Sequence, residues 1–203
     1  MRLHFFRGIS AGLCIAIGGS VYLACDNKYV GAVMFSVALL SICMLGLSLY
    51  TGKIGFIVKS HKRDDVIGLI STLFGNLAGC VLFGYLASIG VPKLVTAAQT
   101  ICDVKLTQGF VQALIRGIFC GVLMYIAVWT YREKKTPLGI IVCIPVFILS
   151  GFEHSVADMF YLAISGYYTL DALAYIAIIV LGNSIGSIII PITEKIAGVK
   201  DEQ

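Results

Sequence analysis

Long apolar runs separated by short polar segments dominate the chain. Read against the length needed to cross a bilayer, they predict six membrane spans at residues 5–24, 30–50, 66–91, 113–131, 138–168 and 172–192. The fifth run is interrupted. Residues 138–151 give 14 residues, roughly 21 Å of helix, too short for a hydrocarbon core of about 30 Å. The polar Glu153 and His154 follow directly, with Asp158 four residues later, and apolar character then resumes. This predicts a helix broken within the membrane. The second run stops near Tyr50 and resumes after Thr51-Gly52-Lys53-Ile54-Gly55, which predicts a second break there.

The two halves echo each other. Phe74-Gly75-Asn76-Leu77-Ala78-Gly79 in span three resembles Leu181-Gly182-Asn183-Ser184-Ile185-Gly186 in span six, each following a break. Three spans per half is an odd number, so the second half must be inverted relative to the first. Inverted repeats with matched broken helices mark transport folds with a midplane site. The fold expected is an all-α integral membrane protein, a single transmembrane domain over residues 1–203. Its repeats cover about 5–91 and about 113–192, helices two and five are broken, and the protomer is aquaporin-like.

Composition narrows the function. Hydrophobic residues make up 59% and charged residues 13%, half the charge of an ordinary soluble domain. The net charge of +4 comes from basic residues in connecting segments and does not call for nucleic acid. Ten Lys and Arg, from the N-terminal segment to Lys195 and Lys200, fall on one side of the predicted spans, and Lys28, Lys93 and Lys105 on the other. That asymmetry places both termini in the cytoplasm and the protein in the inner (plasma) membrane. Two arginines precede an apolar run without a small-residue cleavage site, so the first helix is expected to be retained. The seven cysteines form no CxxC pair or Cys/His cluster, so no metal is expected, and no cofactor motif is present. Cys25 and Cys102 fall in predicted loops, where an oxidising compartment would let them pair.

Chemistry concentrates at the breaks. Unwound backbone in a membrane must line water or be buried by protein. Thr51 and His154 are therefore expected to meet across a path, with positive helix ends favouring an anion. His154 supplies a proton donor or a charge, and Thr51 a hydroxyl. Neighbours on a helix do not share a face, so Glu153 is expected to satisfy freed backbone N–H groups or a subunit contact. Asp158 is expected to cap the second half-helix or tune His154. Asn76 is expected to brace the broken segments, while Asn183 divides between bracing and lining the path. Lys53 is read as a solvated mouth residue or a lure for anions. Three function classes remain: an anion channel, a channel for neutral solutes, and a membrane enzyme built on Glu153-His154.

Several segments resemble the formate/nitrite transporter family. These are Ser150-Gly151-Phe152-Glu153-His154-Ser155 with Met159-Phe160, Leu49-Tyr50-Thr51, Phe74-Gly75-Asn76-Leu77, Ala127-Val128-Trp129 and Gly182-Asn183. The resemblance implies a homopentamer of six-helix protomers, each with a path for small monovalent anions such as formate, nitrite or hydrosulfide. It implies that His154 is the central histidine and Thr51 its partner. Phe35 and Phe147 would form outer constrictions, Leu39 and Leu49 inner ones, and Asn183 a polar pore residue. Two positions depart from the family pattern. Asp158 stands where asparagine is usual, and Gly121 aligns with a span-four asparagine whose loss removes one polar pore residue.

Overall fold

The computed structural model describes residues 1–60 and 62–198; Lys200, counted in the charge asymmetry, lies outside them. These residues form α1 (Arg2–Ala24), α2 (Lys28–Met44), α3 (Tyr50–Lys53) with a 3₁₀ segment (Ile54–Val58), α4 (Arg63–Gly90), α5 (Lys93–Leu106), α6 (Phe110–Lys134), α7 (Leu138–Leu149), α8 (Ser155–Ser165) and α9 (Leu170–Ile196). By length and composition α1, α4, α6 and α9 can each cross a membrane; α2, α7 and α8 are shorter and also apolar. Local capping sets the ends. Asn27 accepts from the N–H groups of Tyr29 and Val30 at the start of α2, and Thr169 accepts from Ala172 at the start of α9.

Two pairs of long helices form the frame, α1 on α4 and α6 on α9. Glycines set both crossings. A Cβ on Gly75 would lie 2.3 Å from the Phe5 carbonyl oxygen, and one on Gly186 would lie 1.9 Å from that of Ile118. Small residues let membrane helices approach to backbone contact, where packing substitutes for the missing hydrophobic drive. Gly121 belongs to this set: a Cβ there would meet the Asn183 carbonyl oxygen at 2.3 Å. It is a helix-crossing position.

The interruptions have one design. α2 ends at Gly46 (φ +63°), with the Leu47 N–H reaching back to the Ile42 carbonyl at 2.9 Å. α7 ends at Gly151 (φ +68°), with the Phe152 N–H on the Phe147 carbonyl at 2.9 Å. Both are glycine-terminated helix stops in which the left-handed residue allows the chain to turn away. The first break therefore falls at 45–49, ahead of its expected place. Thr51 sits in the first turn of α3, and Gly55 is a packing glycine whose Cβ would meet the Ser187 carbonyl at 2.5 Å.

Helix α5 was not expected. Residues 92–112 read as a loop because their polar content is high, yet Leu94, Ala98 and Cys102 are buried at four-residue spacing and pack α5 on α8. This also corrects Cys102 and Lys105, both read as loop residues. Cys102 is buried in α5, and it and Cys25 are free.

Candidate functional site

The two breaks are held by the two asparagines. Asn76 Oδ1 accepts from the Tyr50 N–H at 2.8 Å, and its Nδ2 donates to the carbonyls of Gly8 and Ser48, both at 2.9 Å. Asn183 Oδ1 accepts from the Ser155 N–H at 2.9 Å, and its Nδ2 donates to Gly117 at 2.9 Å and Glu153 at 2.8 Å. Each fully buried asparagine satisfies backbone that the breaks release, which a membrane interior cannot. The bonds of Asn183 are those of a brace, one of its two expected roles. About the two asparagines Ser48 corresponds to Glu153 and Leu49 to His154, so Thr51 does not occupy the position that His154 holds.

The structure nonetheless brings Thr51 and His154 together, Thr51 Oγ1 lying 2.7 Å from His154 Nε2 with both residues buried. His154 caps α8: its Nδ1 accepts from the Ala157 N–H at 3.0 Å. That assigns the ring proton to Nε2, so the neutral ring donates to the Thr51 hydroxyl oxygen, and the Thr51 proton remains to be given elsewhere. The cap expected of Asp158 is thus supplied by the imidazole. Two backbone donors expected to face an anion, Ser155 N–H and Ala157 N–H, are already taken by protein groups.

Rings close around this pair. Phe147 stacks on His154 with centroids 5.6 Å apart and meets Phe35 edge to face at 6.3 Å. A cavity of about 340 Å³ reaches Phe35, Phe147 and His154. Another, of about 300 Å³, reaches Leu39, Leu49 and Lys53. The first reaches Phe35 of α2 and Arg116 near the start of α6. The second reaches Leu39, Ile42 and Cys43 of α2, and Val128 and Arg132 near the end of α6. The two therefore lie toward opposite ends of these helices, with the buried Phe35–Leu39 turn between them. Lys53 is half-buried and donates to Ser48 Oγ at 2.8 Å, which corrects its reading as a freely solvated residue.

A charged cluster borders the first cavity. Lys105 pairs with Glu153 Oε2 and, at 2.9 Å, with Asp158 Oδ1. Gln108 donates to Glu153 Oε1 at 2.8 Å, and Arg116 lies 3.9 Å from the same oxygen. Glu153 therefore bonds side chains of α5 and its following turn, where released backbone N–H groups were expected. Sequence reading missed Lys105 and Gln108. The buried four-residue spacing that ends one turn before Lys105 was the available signal.

The fold defines an all-helical protein with, among the described residues, four helices long and apolar enough to cross a membrane. A family model described as formate/nitrite transporter matches residues 1–194, and the chain belongs to that family. It is 27% identical over 181 residues to the formate channel FocA of Escherichia coli K12, covering 77% of this chain and 64% of the relative. It is 29% identical over 175 residues to the nitrite transporter NirC of Salmonella typhimurium LT2, covering 76% and 65%. The chain thus spans just under two thirds of the length of these curated relatives, which are named as transport proteins and not as enzymes. Among solved structures it resembles a pentameric formate channel with formate bound (TM-score 0.81, 23% identity, 97% of each chain). It also resembles an FNT family ion channel (TM-score 0.80, 24% identity, 98% of this chain and 89% of the other).

Proposed function

We propose that the protein conducts small monovalent anions of the formate, nitrite or hydrosulfide class along a path that crosses the Thr51–His154 contact. The observation that carries this reading is the pair of opposed cavities stopping at an apolar belt that contains one hydroxyl–imidazole pair. Apolar constrictions exclude hydrated ions, so a permeating anion sheds water and needs donors at the narrowest point. Thr51 Oγ–H, whose oxygen accepts from His154 Nε2–H, is the donor this pair presents, with Phe35 and Phe147 the outer constriction and Leu39 and Leu49 the inner one. Lys53 lies on the inner approach. A proton link through His154 requires the ring to take a second proton on Nδ1 and give up the Ala157 N–H. Asn76 and Asn183 hold both sides in place.

In this reading α2 with α3, and α7 with α8, form spans two and five. The chain makes two inverted three-span repeats, with both termini cytoplasmic in the inner membrane. The protein assembles as a homopentamer, in keeping with the pentameric structure it resembles and with large apolar side chains such as Phe74, Leu82 and Phe119 left exposed on the protomer.

Flux of formate, nitrite and hydrosulfide into liposomes holding only this protein tests the reading. Transport of glycerol or urea without anions would replace it with a neutral-solute channel. Thr51→Val keeps the shape and removes the hydroxyl. A lost hydrogen bond in a buried site costs about 1–3 kcal/mol, so anion flux should fall roughly five- to a hundredfold. Unchanged flux would take Thr51 out of the path. Phe147→Ala should raise flux and admit larger anions such as lactate, whereas an unchanged size limit would move the constriction elsewhere.

A further inference from the structure

Asp158 is bonded on one side only. Its Oδ1 pairs with Lys105, but no described protein group donates to Oδ2, although the residue is 1% exposed. Lys105 is shared with Glu153, which has Gln108 and Arg116 as further partners. One ammonium thus serves two buried carboxylates, and the surplus negative charge falls on the carboxylate with the fewer donors. Asp158 also lines the cavity that reaches His154. An orphaned carboxylate oxygen beside the path of an anion repels it, unless that oxygen carries a proton.

The geometry points to Asp158 as the group that holds a proton on the approach to His154 and presents it to the entering anion, making it a specificity-determining residue for weak acids. This rests on the anion-path reading above. His154 is poorly placed for the task, since its Nδ1 is occupied by Ala157 and its Nε2–H by Thr51. The proton balance is simple. Asp158 takes one proton from the outer solution. Its O–H donates to the anion; where the anion continues as neutral acid, the Asp158 O–H bond breaks as the new bond on the anion forms. The carboxylate is then recharged from outer water. An anion of a strong acid cannot accept the proton and gains only the hydrogen bond.

The other ionisable groups near Asp158 come from every side. Lys105 and Cys102 belong to α5, Arg116 and Cys120 to α6, and Tyr175 to α9. Glu153 and His154 precede α8, Tyr161 lies on it, and Tyr22 of α1 lines the same cavity. Of these Lys105 pairs with Asp158 and donates without being able to accept, and the Glu153 carboxyl lies within hydrogen-bonding reach of Asp158 when one of the two carries a proton.

The test uses the intact protein in liposomes and Asp158→Asn, which keeps the shape, with Asp158→Ser as a second neutral variant. Formate uptake by the wild type should rise as outer pH falls, and nitrate should pass poorly. In Asp158→Asn the pH slope for formate should flatten. At an outer pH high enough to strip the proton from Asp158, nitrate flux through Asp158→Asn should exceed that of the wild type roughly five- to tenfold, the effect of removing one nearby negative charge at intermediate dielectric. The two should converge at low pH. Infrared difference spectra on adding formate should show the carbonyl stretch of a protonated carboxyl in the wild type and in Glu153→Gln. Neither Asp158 variant should show it. An unchanged pH slope and nitrate-to-formate ratio in both Asp158 variants, or absence of the band from the wild type, overturns the inference. If the wild type shows the band but carries no small anion, the conduction reading fails while the proton-holding role of Asp158 stands.

Discussion

Asn183→Leu should cost a large part of the protein's stability. The substitution strips the Ser155 N–H and the Glu153 carbonyl of their partner and leaves Gly117 with its intrahelical bond alone. Each unsatisfied buried group costs about 1–3 kcal/mol, so the loss is roughly 2–6 kcal/mol against a total of about 5–15 kcal/mol. Leucine has similar bulk and fits the hydrophobicity of α9, so volume and membrane compatibility do not explain the effect. Asn76→Leu should behave alike, because Asn76 makes the same three bonds in the first half of the chain. Thermal unfolding in detergent, followed by loss of the monodisperse species, measures both. A melting temperature for Asn183→Leu within a degree or two of wild type would mean that the broken segment is held by something other than this brace.

Lys105→Met should be nearly as severe for a different reason. Methionine keeps the length and apolar stem but leaves Glu153 and Asp158 without their common ammonium. Breaking a buried pair by removing one partner costs about 3–5 kcal/mol, because an uncompensated charge stays behind. The triple variant Lys105→Met, Glu153→Gln, Asp158→Asn removes the charges together and should regain most of the lost stability. If the triple variant is no more stable than Lys105→Met, packing of the lysine stem sets the cost, and the electrostatic account is wrong.

Much of this architecture was legible along the chain. Apolar runs longer than a bilayer is thick predicted four of the long helices, because a membrane interior selects on length and hydrophobicity. A 14-residue run ending at Gly151, just ahead of Phe-Glu-His, predicted the second break, because a stretch too short to cross must stop or bend. The repeated Gly-Asn pair announced two equivalent braces. The first break was misplaced, since Gly46, Gly52 and Gly55 look alike in a sequence; only backbone angle separates the helix stop at Gly46 from the packing glycine at Gly55. Helix α5 was missed because its buried face is narrow and the rest of its surface is polar.

Sequence by itself determined the class of protein and most of the polar residues at its centre, Thr51, Asn76, Glu153, His154, Asp158 and Asn183, which follow from hydrophobic length and local patterning. Tertiary structure alone decided what those residues do to one another. The bond between Thr51 and His154 spans 103 positions, and that of Lys105 to Glu153 spans 48. The bracing of Asn183 depends on carbonyls 66 and 30 residues away. Hydrogen bonds and ion pairs are set by distances of about 3 Å, and no local pattern in the chain encodes a separation created by packing one helix pair against another.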